Sequence, residues 1–250
     1  MLPQFATHYY TSFMTGKRGD VMSGILYGVS VGPGDPELIT LKAVRIIKEC
    51  EVIAVPRTRG ENTLALEIVR DVCDISQKEI LYLDFLMSED RQVLQKRHNE
   101  IAGTLLPYLE NGKNIAFLNI GDVSVYSTFS YIADIIRENG GQISVCAGVT
   151  SFCAAAAEMR EPLVQGKNPL VIMPSSCADF EKLLDTVCTA VIMKSGRDSA
   201  DIKDKLSQKG FNNINAVCDC GLDTQKIYRG TENIPDKCGY FTLFTAVKEK

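Results

Sequence analysis

Residues 25–43 read ILYGVSVGPGDPELITLKA, and this stretch decides the fold. Leu26, Val29 and Val31 suit a buried strand over 25–31, which Gly32-Pro33-Gly34-Asp35-Pro36 ends abruptly. Asp35 stands where an N-cap belongs, Pro36 takes the first helical position and Glu37 falls in the first turn, so a helix is predicted to open at Glu37. Leu38, Leu41 and Val44 carry helical spacing toward Ile46 and Ile47. A strand feeding a glycine loop and a helix is how open α/β sheets build a ligand crevice. From these residues alone, a tight connection without a ligand explains the pattern equally well.

The same stretch weighs against two common ligands. A dinucleotide fingerprint needs a third glycine, and Glu37 occupies that position. It also needs an acidic residue closing the second strand, whereas the strand at 51–55 runs into Pro56-Arg57. No Lys-Ser or Lys-Thr pair follows the loop, so it is not a phosphate-cradling P-loop.

Composition narrows the class further. The 250 residues are 45% hydrophobic and 23% charged, which is ordinary for a globular chain. A net charge of −4 without a basic run argues against a nucleic-acid partner, and no apolar run is long enough to span a membrane. Nine scattered cysteines without a C-x-x-C spacing fit free thiols in a reducing cytoplasm. With only His8 and His98 available, no metal site is expected.

Residues 1–23 lack periodicity and read as a disordered extension, followed by an α/β domain over 24–140 and a second over 141–250. In the first, helices are predicted over 63–72 and through Ile101, Leu105 and Leu109, and strands over 79–85 and 113–120. His98 lies on the second of these helices and reads as a surface or packing residue. Gly121-Asp122 then forms another strand-to-helix turn before a helix over 129–138; Asp122 suits either a cap for that helix or a partner for a ribose hydroxyl or ligand amine. Asn139-Gly140-Gly141 marks the domain boundary. Beyond it, strands are predicted over 143–146, 170–173, 190–193, 214–218 and 240–247, helices over 152–159 and 201–209, and a turn at 227–230. Shorter connections make this half the richer in antiparallel pairing.

Taken in order, Val31-Gly32-Pro33-Gly34-Asp35-Pro36-Glu37-Leu38, Gly121-Asp122, Gly148-Val149-Thr150-Ser151 and Val191-Ile192-Met193 resemble the tetrapyrrole methylase family of S-adenosylmethionine-dependent methyltransferases. The resemblance covers residues 24–247. The segments at 121–129 and 147–152 and the Val55-Pro56-Arg57 strand end are most similar to the branch that methylates C-20 of precorrin-2 or cobalt-precorrin-2. It implies two α/β domains with a ligand trough between them, a homodimer, S-adenosyl-L-methionine as methyl donor and a tetrapyrrole as small-molecule partner. Carried over by position, it implies a donor site of Pro33, Ile120, Gly121, Asp122, Val125, Tyr126, Thr150, Ser151, Met193 and Ala216. Gly34, Asp35, Arg57 and Arg59 would face the substrate, and Arg57 and Arg59 suit its carboxylates. Two departures stand out. Val123 replaces the proline that usually follows Gly-Asp, and Pro56 stands where the uroporphyrinogen-methylating branch has an aspartate.

Methyl transfer from a sulfonium needs positioning and dryness more than a side-chain nucleophile. The sequence singles out no catalytic base; Tyr126, Tyr82 and Asp84 are the candidates at sheet edges. A member of the same fold that modifies diphthine or ribosomal RNA, and an α/β module that binds without turnover, are the alternative readings.

Overall fold

A computed structural model describes residues 23–57, 63–88 and 90–248. The expected N-terminal extension, apart from Ser23, and Arg59 lie outside the described residues. The first sheet comprises β1 (Ile25–Ser30), β2 (Val52–Arg57), β3 (Glu79–Asp84), β4 (Ile115–Asn119) and β5 (Gln142–Cys146), all parallel, in the order β3-β2-β4-β1-β5. Helices α1 (Leu41–Glu49) and α2 (Leu64–Val72) cover one face, packing Ile46, Ile47, Leu66 and Val69 against Val29, Ile53 and Leu118. Helices α3 (Arg91–Glu110) and α4 (Phe129–Glu138) cover the other, with Ile101, Leu105 and Ile132 against Leu26, Val52 and Phe117. Burial on both faces is why β4 is apolar almost throughout and buried at every residue. Each fully buried Leu, Ile or Phe contributes about 1.5–3 kcal/mol, against about 1 kcal/mol for a typical hydrogen bond. Side-chain packing therefore holds this sheet between its helices.

The first helix starts later than its sequence suggested. Asp35 does accept from Glu37 N (2.8 Å), but it caps only a single 3-10 turn, Pro36–Leu38. Ile39 then returns to extended backbone, and Thr40 Oγ1 accepts from Ala43 N (3.1 Å) to begin α1. Two caps five residues apart divide what reads as one helix. The chain from β1 enters α1 on one face, whereas the chain from neighbouring β4 enters α4 on the other. That divergence opens a crevice at the carboxyl ends of β1 and β4.

The boundary expected at residue 140 falls one strand early. Gly140, at φ +82°, ends α4, and β5 then pairs with β1 in the first sheet. The change of sheet follows Cys146. The second sheet contains β6 (Leu170–Pro174), β7 (Thr189–Met193), β8 (Asn213–Cys218), β9 (Lys226–Arg229) and β10 (Thr242–Val247), in the order β6-β7-β10-β8-β9. Only β6 and β7 pair in parallel, in line with the expected antiparallel bias. The turn expected at 227–230 is instead β9, with Tyr228 opposite Ala216; the chain turns at Gly230, at φ +79°. Helix α5 (Ser151–Met159) packs on one face through Phe152, Ala155 and Met159. On the other lie α6 (Phe180–Thr186), which the sequence reading missed, and α7 (Ser199–Gln208).

Candidate functional site

The crevice faces the second sheet, and a cavity of ≈ 180 Å³ lies between the two. Gly121 lines it, and Gly32 and Gly148 pack behind that turn. Gly121 turns at φ +74° as the chain leaves β4, and its N–H donates to Gly32 O (2.7 Å), tying the two strand ends together. Gly148, after β5, passes so close that a Cβ there would sit 2.4 Å from Ser30 Cβ and 3.0 Å from Gly121 O. Ser30 Oγ in turn accepts from Val123 N (2.9 Å).

Asp122 locks these turns to each other. Its carboxylate accepts from Ser124 N (2.8 Å), from Ser124 Oγ and, across the floor, from Gly148 N (2.7 Å). Burial alone would raise its pKa, but these hydrogen bonds outweigh it and hold the carboxyl below the ordinary aspartate value. It does not cap the following helix, where Thr128 is the N-cap of α4. A carboxylate so occupied acts chiefly by fixing the floor.

Thr150 presents the opposite case. It is the N-cap of α5 yet makes no capping bond, and its Oγ1 is buried with no hydrogen-bond partner. An unsatisfied buried polar group costs about 1–3 kcal/mol, and this one lines the cavity. A ligand that completes its hydrogen bonding removes that cost. The N-terminus of α5 adds partial positive charge at the same place.

Of the residues that the resemblance implied for the donor, Pro33, Ile120, Gly121, Asp122, Val125, Tyr126, Thr150, Ser151 and Met193 line this cavity together. Ala216 does not. Strand alternation turns it into the core on the far face with Ile214 and Phe244, while its neighbour Val217 packs on the near face. Gly34 and Asp35 are likewise absent from the walls. Gly34 backs onto the loop after β8, where a Cβ would lie 2.5 Å from Cys220 O, so it is a joint between the sheets. Arg57, Tyr82 and Asp84 come together on the carboxyl edge of β2 and β3, outside the cavity wall: Arg57 Nε lies 2.8 Å from Asp84 Oδ1, and its guanidinium stands 4.9 Å from the Tyr82 ring centre. The candidate bases are thus engaged. Asp84 is ion-paired, Tyr126 donates its phenolic proton to Ile172 O (3.0 Å), and burial raises the Tyr126 pKa. His98 packs, as expected, stacked on Tyr131 with ring centres 4.9 Å apart.

The walls that sequence reading missed are Asn119, Lys194, Cys220 and residues 240–243. Lys194 was within reach, since it follows Met193 directly at the end of β7. The loop residues after β8 and before β10 carry no motif. Among the described residues no group of three or more His, Cys, Asp or Glu is placed to hold a metal, and no helix is long and apolar enough to cross a membrane.

Residues 25–234 match the family of tetrapyrrole (corrin/porphyrin) methylases. The chain belongs to this family. It is 37% identical over 183 residues to a probable cobalt-precorrin-2 C(20)-methyltransferase of Methanocaldococcus jannaschii, an alignment covering 73% of this chain and 75% of that one. It is 34% identical over 193 residues to the cobalt-precorrin-2 C(20)-methyltransferase of Salmonella typhimurium, covering 76% and 81% respectively. Among solved structures, that of a cobalt precorrin-4 methyltransferase superimposes with a TM-score of 0.72 at 18% identity, covering 89% of this chain and 94% of the other, which shows the shared fold.

Proposed function

We infer that this tetrapyrrole methylase uses S-adenosyl-L-methionine to methylate C-20 of precorrin-2 or its cobalt complex in corrin synthesis. The observation that carries the donor assignment is the partnerless Thr150 hydroxyl at a cavity whose Gly121 turn is tied to Gly32. This arrangement fits a ligand with both polar and apolar parts: Thr150 supplies a hydrogen bond, and Pro33, Ile120, Val125 and Met193 supply apolar wall. When bound, the sulfonium supplies an activated methyl group for in-line transfer to a ring carbon. The protein's part is to orient the two reactants and exclude water. The similarity to relatives named for C-20 chemistry supports the choice of carbon. Pro56, where the resemblance implies an aspartate in the uroporphyrinogen-methylating branch, weighs the same way.

Arg57, beside the cleft on the same sheet edge, is suited to a tetrapyrrole carboxylate. We read the protein as a cytoplasmic homodimer, in keeping with the family and with nine free cysteines. The test is anaerobic incubation with S-adenosylmethionine and either precorrin-2 or cobalt-precorrin-2, followed by mass spectrometry and NMR of the pigment. One methyl added at C-20 is the expected result. Methylation at another carbon overturns the branch, and no transfer to either pigment overturns the substrate.

A further inference from the structure

We propose that Lys194 is an anion-recognising residue of the cleft, holding a ligand carboxylate beside the Tyr126 turn. The assignment rests on the donor and tetrapyrrole reading given above. Lys194 lines the cavity and is exposed to solvent, while partial desolvation lowers its pKa. No carboxylate among the described residues forms an ion pair with it. Its ammonium has only Tyr126 O at 3.4 Å and the Tyr126 ring centre at 6.0 Å. Three other lysines of the second half do have carboxylate partners, among them Lys203 with Asp236 and Lys209 with Asp185, each at 2.9 Å, but none of those three lines the cavity. A cavity-wall cation without a counter-ion is free to take an anion from a bound ligand.

The position is built, not incidental. Lys194 sits at φ +59°, a left-handed conformation uncommon for a side chain larger than Asn or Asp. The backbone around it is pinned on three sides. Ser175 Oγ donates to Lys194 O (3.0 Å), Ser195 N to Thr242 O (3.1 Å), and Ser195 Oγ to Ile192 O (2.8 Å). Across the cleft Tyr126 is also left-handed, at φ +48°, and is anchored through its phenol to Ile172 O. Two unfavourable backbone conformations facing each other over a cavity mark a place where geometry is held for a ligand. A carboxylate reaching Lys194 would form a charge-assisted hydrogen bond. It has two sources here, the amino-acid end of the methyl donor and the side chains of the tetrapyrrole.

The test compares wild type with Lys194→Met, Lys194→Arg and Lys194→Gly. Glycine tolerates the positive φ and so removes the charge without adding backbone strain. Calorimetry with S-adenosylhomocysteine and with 5′-methylthioadenosine, which lacks the amino-acid carboxylate, is paired with KM measurements for cobalt-precorrin-2. If the donor supplies the anion, Met and Gly weaken S-adenosylhomocysteine by about tenfold or more and leave methylthioadenosine unchanged. If the pigment supplies it, both nucleosides bind as before and the pigment KM rises by a similar factor. In either case Arg retains most of the wild-type value. Donor and pigment both within twofold of wild type in the Met and Gly variants overturn the assignment, as does an equal loss for the two nucleosides without a pigment effect. A wild-type protein that binds neither nucleoside nor pigment overturns the functional reading itself, and this assignment with it.

Discussion

Thr150 and Asp122 are both polar residues at the cavity, but they stand in opposite states, and their variants should behave oppositely. Thr150→Val removes a hydroxyl that is buried without a partner. The free protein should be unchanged or gain about 1 kcal/mol, while S-adenosylhomocysteine affinity falls several-fold through one lost hydrogen bond. Denaturant unfolding and calorimetry on the same preparation check both signs. Asp122→Asn, in contrast, weakens a carboxylate already bonded to Ser124 and Gly148, and should cost about 1–3 kcal/mol of stability at neutral pH. Because the folded-state pKa of Asp122 is depressed, its stabilisation is complete above the unfolded value, about 3.9, and is lost as pH falls through the folded one. The stability gap between wild type and Asp122→Asn should therefore close on acidification, as unfolding curves between pH 7 and pH 3 would show. At this scale the sequence was informative about identity and silent about state. The Gly121-Asp122 turn was a ligand-edge candidate from its residues and Thr150-Ser151 a candidate only through the family resemblance, but only the fold reveals that the Asp122 side chain is fully engaged and that of Thr150 open. Ala216 shows the limit: on a strand, a one-residue change of face decides whether a residue lines a site or fills a core.

At the level of elements, the strand-to-helix junctions were legible because their glycines and caps are local. The lengths of the elements were less so. Thr40 competes with Asp35 for the start of α1, and no pattern within the stretch ranks the two caps. The second half hid more, since β9 is four residues long and α6 seven, each short enough for its periodicity to be ambiguous. The parallel strand β5 was recognised but assigned to the wrong sheet, because pairing with β1 is a long-range property. The junction after β5 also yields a prediction. Gly148→Ala drives a methyl group against Ser30 Cβ and Gly121 O, which the packed floor cannot relieve by moving a flexible side chain. A loss of about 1–3 kcal/mol is expected, measurable by thermal unfolding, together with weakened nucleoside binding.

For the whole molecule, the two sheets divide the work. The cavity proposed for the donor lies between them, whereas Arg57, Tyr82 and Asp84 stand on the carboxyl edge of the first sheet beyond its wall. Arg57→Met should raise the pigment KM several-fold and leave S-adenosylhomocysteine affinity unchanged. Its ion pair with Asp84 is partly solvent-exposed, so unfolding free energy should move by less than about 1 kcal/mol. Steady-state kinetics with a parallel nucleoside titration separates these effects.

The chain passes from the first sheet to the second once, between β5 and α5. That passage contains Gly148, bonded to Asp122, and Thr150, which lines the cavity, so the covalent tether joining the halves is also part of the wall against which the methyl donor would rest. Any swing of one sheet against the other must be absorbed in these few residues. A nucleoside held there would restrain any such swing, so that loading the donor would also stiffen the molecule.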